Sequence, residues 1–187
     1  MLKELVAKNR SYRRFYQDVT IASKTLLDLL DLARLTATGA NIQSLRFKIV
    51  NTKEEKEAVF SCLGWAAYLA DWDGPEEGER PSAYLIVLND PSLKQKPQYD
   101  VGLACQSILL GAVEMGLGGC LFGSIDRQKL KDLILLPKEL EIMLVIALGK
   151  PKEAVQIDDV IDNDIKYWRD ENQVHHVPKR KLEDLIL

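Results

Sequence analysis

Histidine and cysteine are scarce in this sequence, with two and three residues respectively. That scarcity narrows the chemistry at once. His175 and His176 are adjacent, and neighbours along a strand point to opposite faces, so they would not share a metal there. Cys62, Cys105 and Cys120 are odd in number, far apart and set in apolar surroundings, with no Cys-x-x-Cys among them. They read as free buried thiols of a reducing compartment, and neither a zinc site nor a redox dithiol has residues to rest on. No apolar run approaches the roughly 20 residues that cross a bilayer. The start, Met1-Leu2-Lys3-Glu4-Leu5, is amphipathic and carries an acid, unlike a signal peptide. Positive charge is not in excess: 25 Lys and Arg against 28 Asp and Glu leave a net charge of -3. That balance argues against a general nucleic-acid or membrane-surface binder. The expected setting is the cytoplasm.

Two nucleotide motifs are missing as well. Gly116 to Asp126 (GLGGCLFGSID) is glycine-rich, but it follows a predicted helix and precedes a predicted strand. That order is the reverse of a P-loop or Rossmann turn, and the Lys-Ser/Thr of a Walker motif is absent. Exposed backbone N–H groups beside Gly123 remain available to a cofactor. There is no Ser-His-Asp or Cys-His set, and no side chain stands out as a catalytic acid, base or nucleophile.

What is present is 187 residues, 47% of them hydrophobic. A chain of this length forms one domain and buries about 70% of the surface its unfolded form exposes. Residues 1–187 are read as a single domain, with about 152–187 forming a C-terminal arm. The periodicity predicts a helix from Leu2 to near Asn9 and another over Lys24 to Thr36 with Ser23 as N-cap. It predicts a strand over Leu45 to Val50, a helix over Glu54 to Leu69, and an acidic Gly/Pro loop over Asp71 to Pro81. A fully apolar strand follows at Ala83 to Leu88. The strongest helix spans Asp100 to Leu117 and is apolar on more than one side, as in a helix buried centrally or against a partner. A short strand (Cys120 to Gly123), a short helix (Arg127 to Leu136) and a strand (Glu141 to Leu148) come next. The polar remainder has few core residues and one expected short helix over Val160 to Trp168. Strict βαβ alternation is absent, so the fold class is α+β rather than a doubly wound sheet.

Four segments hold groups suited to a ligand. In Arg10-Ser11-Tyr12-Arg13-Arg14, guanidinium forks and a hydroxyl match phosphate oxygens, although a solvated helix end looks the same. In Thr38-Gly39-Ala40-Asn41-Ile42-Gln43, small residues admit a flat ligand and two amides suit a heterocycle edge, although an ordinary helix end also fits. Phe122-Gly123 offers backbone donors. Pro178-Lys179-Arg180-Lys181 gains meaning if the fold brings it beside Arg10 and Arg13.

In that order and spacing these segments resemble the FMN-dependent nitroreductase family over nearly the whole chain. The resemblance includes Arg10 to Phe15 and Thr38 to Phe47. It extends to Asp100-Val101-Gly102-Leu103-Ala104-Cys105-Gln106, the Gly116-Leu117-Gly118 helix end, Leu148-Gly149-Lys150-Pro151 and the basic tail. Thr38-Gly39 stands where the family usually has Pro-Ser, and Ser44-Leu45 where it has Pro-Trp. The resemblance implies a nitroreductase-like α+β fold: a central mixed or antiparallel sheet flanked by helices, with the C-terminal arm exchanged in a homodimer. It implies FMN as cofactor, NAD(P)H as electron donor and a small-molecule acceptor such as a nitroaromatic or quinone, passed hydride through flavin N5. Arg10, Ser11 and Arg13 would hold phosphate and ribityl, completed by Lys179 and Lys181. Thr38, Gly39, Ala40, Asn41 and Gln43 would approach the ring from the other subunit. Phe122 and Gly123 would lie near N5. Within the family a reductive dehalogenase is an alternative, and outside it a flavin carrier or redox sensor with little turnover. The Trp65 to Pro81 region has no family motif: it is either a substrate-selecting wall or aromatics packed beneath a loop.

Overall fold

The apolar run of the second strand is continuous because that strand is buried on both faces. In the computed structural model, which describes residues 1–187, β2 (Ala83–Asn89) lies between β1 (Leu45–Val50) and β4 (Glu141–Gly149). β3 (Gly118–Phe122) closes the other side, giving the order β1-β2-β4-β3 with every pairing antiparallel. Leu85 and Val87 face one core cluster, while Tyr84, Ile86 and Leu88 face the other. That alternation is the period-two rule applied to a sheet covered twice.

The first cluster is roofed by α2 (Ser23–Leu35) and α4 (Gln98–Glu114), through Leu26, Leu29, Ala33, Ala104, Ile108 and Ala112. Gly111 lets these helices touch: a Cβ there would lie 2.2 Å from a Leu32 methyl. The second cluster is covered by α3 (Lys53–Phe60) and α5 (Arg127–Leu133), with Val59, Leu130, Cys120 and Phe122 inside. The three cysteines are free and buried, as expected. No helix is long and apolar enough to cross a membrane.

Several elements differ from the expectation: α4 runs from Gln98 to Glu114 rather than Asp100 to Leu117, and α5 ends at Leu133 rather than Leu136. α2 has Ala22 at its N-cap, with Ser23 as its first residue, and it ends at Leu35. α3 stops at Phe60 rather than Leu69. There Leu63 bridges Ile125, the Gly64 N–H donates to the Ser124 carbonyl, and Cys62 accepts from the Asp126 N–H. Tertiary pairing has taken the backbone groups a longer helix would use. No helix forms over Val160 to Trp168 either: Asp162 and Asn163 are left-handed (φ 50° and 60°), and Ile161 bridges Asp164. Asp-Asn-Asp is turn chemistry, and it prevails here over the weak apolar period.

The arm therefore folds as β rather than α. β5 (Val155–Asp159) pairs in parallel with β7 (His175–Lys179), and the two-residue β6 (Trp168–Arg169) pairs antiparallel with β7. Part of its surface is found on its own chain, against the segment that follows α1 (Leu2–Lys8).

Candidate functional site

Arg10 to Phe15 leaves α1 in extended conformation and crosses the open edge of β3. Ser11 forms a parallel bridge to Gly119, and the Tyr12 N–H donates to the Gly119 carbonyl at 3.0 Å. The approach requires bare backbone beneath it. A Cβ on Gly118 would lie 2.6 Å from the Tyr12 ring, and one on Gly149 would lie 2.7 Å from the buried Phe15 ring.

The arm is latched onto this segment by one buried carboxylate. Glu153 accepts the Arg13 N–H, accepts the Arg14 N–H at 3.3 Å, and pairs with the Arg169 guanidinium at 3.0 Å. Its side chain has no exposed surface. A buried charge is tolerable only when so completely bonded. Arg169 also lies 4.2 Å over the Trp72 ring. A second acid, Glu79 of the 71–81 loop, binds Arg14 and Lys152, and these bonds hold its carboxyl down to about 2.

Between segment and arm is a cavity of about 280 Å³. Arg10, Ser11 and Arg13 line it from one side. Gln106, Leu109, Gly119, Cys120 and Leu121 form its floor, and Tyr167, His175, Val177 and Lys179 close it from the arm. The β7 contribution follows strand period: His175, Val177 and Lys179 share the cavity face, while His176 and Pro178 face the opposite way. The histidine pair is thus split between faces, and no group of metal-ligating side chains exists.

No Asp or Glu lines the cavity. Arg10, Arg13 and Lys179 make no salt bridge anywhere in the chain. Arg10 uses one nitrogen to cap the Val6 carbonyl at 2.9 Å, and its buried Nε has no partner. Arg13 rests on the Ser11 carbonyl (3.2 Å), on the face of Tyr167 (4.8 Å to the ring centre) and beside His175 Nε2 (3.2 Å). Three cations without counter-charge, two of them partly enclosed and Lys179 exposed at the rim, make a site for an anion. Burial, together with Arg13, Arg169 and His176, lowers the His175 pKa to about 4, so that ring is neutral. Burial pushes the Cys120 thiol up, so it is not a ready thiolate.

Sequence reasoning thus named Arg10, Ser11, Arg13 and Lys179, and one cavity gathers all four. Lys181 does not line it; its backbone N–H donates to Asp184 at the start of the last 3-10 turn. Phe122 directs its ring into the second core cluster, 4.6 Å from Trp65. Gly123 follows it, exposed, one step beyond the lining residues of β3.

Thr38, Gly39, Ala40, Asn41 and Gln43 do not reach this cavity within the chain. Thr38 and Gln43 line a separate hollow with Phe47 and Arg46. The segment is rigidly posed: the Gly39 N–H donates to Asp100 at 2.9 Å, and Asp100 is paired with Lys94 at 2.6 Å. Ala40, Asn41 and Gln43 are all left-handed (φ 51°, 55° and 54°), a conformation that costs non-glycine residues energy and clusters at functional positions. Trp65 and Trp72 pack edge-on at 6.0 Å, as aromatics beneath a loop, while the half-exposed Tyr68 packs on Tyr167 and so adjoins the cavity.

Sequence reasoning missed Gln106, Tyr167, His175 and Val177 as lining residues. The one available signal was period two in His175-x-Val177-x-Lys179, legible once the tail is read as a strand.

Comparison with known proteins places the chain by family and fold. The family model described as the Nitroreductase family matches residues 6–150. A Methanothermobacter thermautotrophicus protein with the provisional name NADH dehydrogenase/NAD(P)H nitroreductase is 29% identical, covering 86% of this chain and 83% of its own. A nitroreductase family protein of Clostridium novyi NT superposes with a TM-score of 0.69 at 20% identity, covering 95% of this chain and 94% of that one. A Clostridium difficile R20291 structure described as an FMN-dependent nitroreductase gives 0.66 at 18% identity, covering 85% and 91%.

Proposed function

Because the chain belongs to the nitroreductase family, we propose that it is an FMN-dependent oxidoreductase that draws electrons from NAD(P)H and delivers them to a small organic acceptor. Nitroaromatics and quinones are the acceptor class intended. The observation that carries the reading is the acid-free cavity holding Arg10, Arg13 and Lys179, none of which has a salt-bridge partner.

The residues present fit FMN. Its terminal phosphate supplies the missing counter-charge, and the orphaned Arg10 Nε gains a bond. Ser11 adds a hydroxyl, and Leu109, Leu121 and Val177 give the less polar remainder an apolar wall. The cavity, at about 280 Å³, falls just below the roughly 300–1,000 Å³ range of ligand sites. That size supports a site completed by a second copy, with Thr38, Gly39, Ala40, Asn41 and Gln43 brought to the ring edge across the seam. Tyr99 and Leu103 of α4 are exposed apolar side chains on a helix whose opposite face is buried, surface that suits such a homodimer. Lys181 joins the phosphate site in this reading, and the backbone beside Phe122 and Gly123 donates toward N5.

FMN, when bound, supplies the hydride chemistry itself. The protein binds the phosphate, positions the ring, and places Arg10 and Arg13 where positive charge favours an anionic ligand. No side-chain nucleophile or proton relay is required. Flavin titration into the apo protein tests the reading. Arg10→Ala combined with Lys179→Ala is expected to weaken FMN binding severely and leave the dimer intact; unchanged flavin retention would remove these residues from the site.

A further inference from the structure

One titratable group in the cavity wall has no part in the reading above. His175 is 1% exposed and lines the cavity from β7. Its Nε2 lies 3.2 Å from a terminal nitrogen of Arg13. A guanidinium only donates, so the imidazole must accept there and carry its proton on Nδ1. That Nδ1 is buried and has no partner in the chain. A buried donor left unsatisfied calls for an explanation, and functional sites are where such groups are tolerated.

The groups around the ring sharpen the point. From the N-terminal segment Arg13 faces it, and from β6 Arg169 is its register partner. Tyr167 packs against it at 5.2 Å, with the Arg13 guanidinium over the other ring. His176, next in sequence, turns to the opposite face and pairs with Asp158, while Arg10 and Lys179 share the cavity. Burial first, then Arg13, Arg169 and His176, keep the imidazole neutral. A neutral acceptor among cations restrains the one cation it touches. Without it, the Arg13 side chain would keep only the Ser11 carbonyl and the Tyr167 face.

We propose that His175 is a positioning residue of the anion site, holding the Arg13 guanidinium in place beside Arg10 and Lys179 before a phosphate-bearing ligand arrives. The inference rests on the flavin reading given above. It predicts selectivity: the histidine matters for ligands with a phosphate and not for those without.

The test uses full-length apo protein, with FMN and riboflavin as paired probes read by quenching of flavin fluorescence. His175→Phe keeps a ring and removes the acceptor; His175→Gln supplies an amide oxygen in its place. The phenylalanine variant should bind FMN about tenfold more weakly, as for loss of one charged hydrogen bond, and glutamine should recover most of it. Riboflavin affinity should be indifferent to both. Nitrogen NMR of histidine-labelled wild-type protein gives an answer independent of the variants, since only two histidines need assignment. It should show His175 protonated on Nδ1 at neutral pH, with an Nε2 signal that shifts in Arg13→Ala. Unchanged FMN affinity in His175→Phe, or a proton on Nε2, overturns the inference. Wild-type protein that binds no flavin defeats the flavin reading instead, and the histidine spectrum still decides whether the Arg13 contact exists.

Discussion

Replacing His175 by phenylalanine should make the stability of the apo protein less sensitive to mild acid. The ring is held to a pKa of about 4 in the fold against 6.5 for an ordinary histidine. As pH falls through the ordinary value, the unfolded chain takes a proton that the folded chain refuses. The native state therefore loses ground between these two values, and the loss stops once the folded imidazole also protonates. Integrating from neutral pH, the penalty is about 2 kcal/mol by pH 5 and on the order of 3 kcal/mol by pH 4. Carboxylates elsewhere titrate alike in both proteins and cancel in the difference. The assay is urea unfolding of wild type and variant at neutral pH and near pH 5, comparing the two stability differences. The variant is expected to be destabilised at neutral pH and to close the gap by about 2 kcal/mol in acid. Parallel acid dependence in the two proteins would show that His175 titrates normally and is not held neutral among cations.

Other outcomes follow from the same geometry. Arg10→Ala and Lys179→Ala should each weaken FMN binding by roughly 1.5–3 kcal/mol, with little change in melting temperature, as read by calorimetric titration. Glu153→Ala should destabilise the fold by roughly 3–5 kcal/mol, because it strands the Arg169 charge and frees the Arg13 and Arg14 amides; thermal unfolding measures it. Glu79 is held down to about 2 against an ordinary 4.5, so it stabilises the fold by on the order of 3 kcal/mol above its ordinary value. That contribution is lost as pH falls toward 2, and a Glu79→Gln variant should lack this part of the acid transition. Gly149→Ala should cost about 1–3 kcal/mol, since the added methyl meets the immobile Phe15 ring at 2.7 Å; chemical denaturation would show it.

How much of this was legible in the sequence depended on where the signal resided. β2 was visible because a strand buried twice is apolar at nearly every position, and α4 because its apolar residues spread over more than one side. Arg10, Ser11, Arg13 and Lys179 were found by charge and by resemblance, although nothing in their spacing shows that residues so far apart in the chain share a cavity. That closure depends on Glu153, an acid in a polar tail whose burial only the fold reveals. The α3 end was misread because the competing bonds come from Ser124 to Asp126. The strands of the arm went unread because β5 and β7 are half polar and pair in parallel across a turn-rich insertion. With the strand unseen, the face shared by His175, Val177 and Lys179 was unseen too. Asn41 and Gln43 were named as ligand residues, but within the chain they lie apart from the cavity that gathers Arg10, Ser11, Arg13 and Lys179.

The central claim is that this cavity seats an FMN that NAD(P)H reduces. Its most direct measurement is the visible spectrum of the protein after incubation with FMN and desalting, followed by anaerobic addition of NADH or NADPH. The account predicts retained yellow flavin whose oxidised absorbance bleaches with the nucleotide and returns with a quinone. A colourless desalted protein, with its Arg10, Arg13 and Lys179 intact, would contradict it.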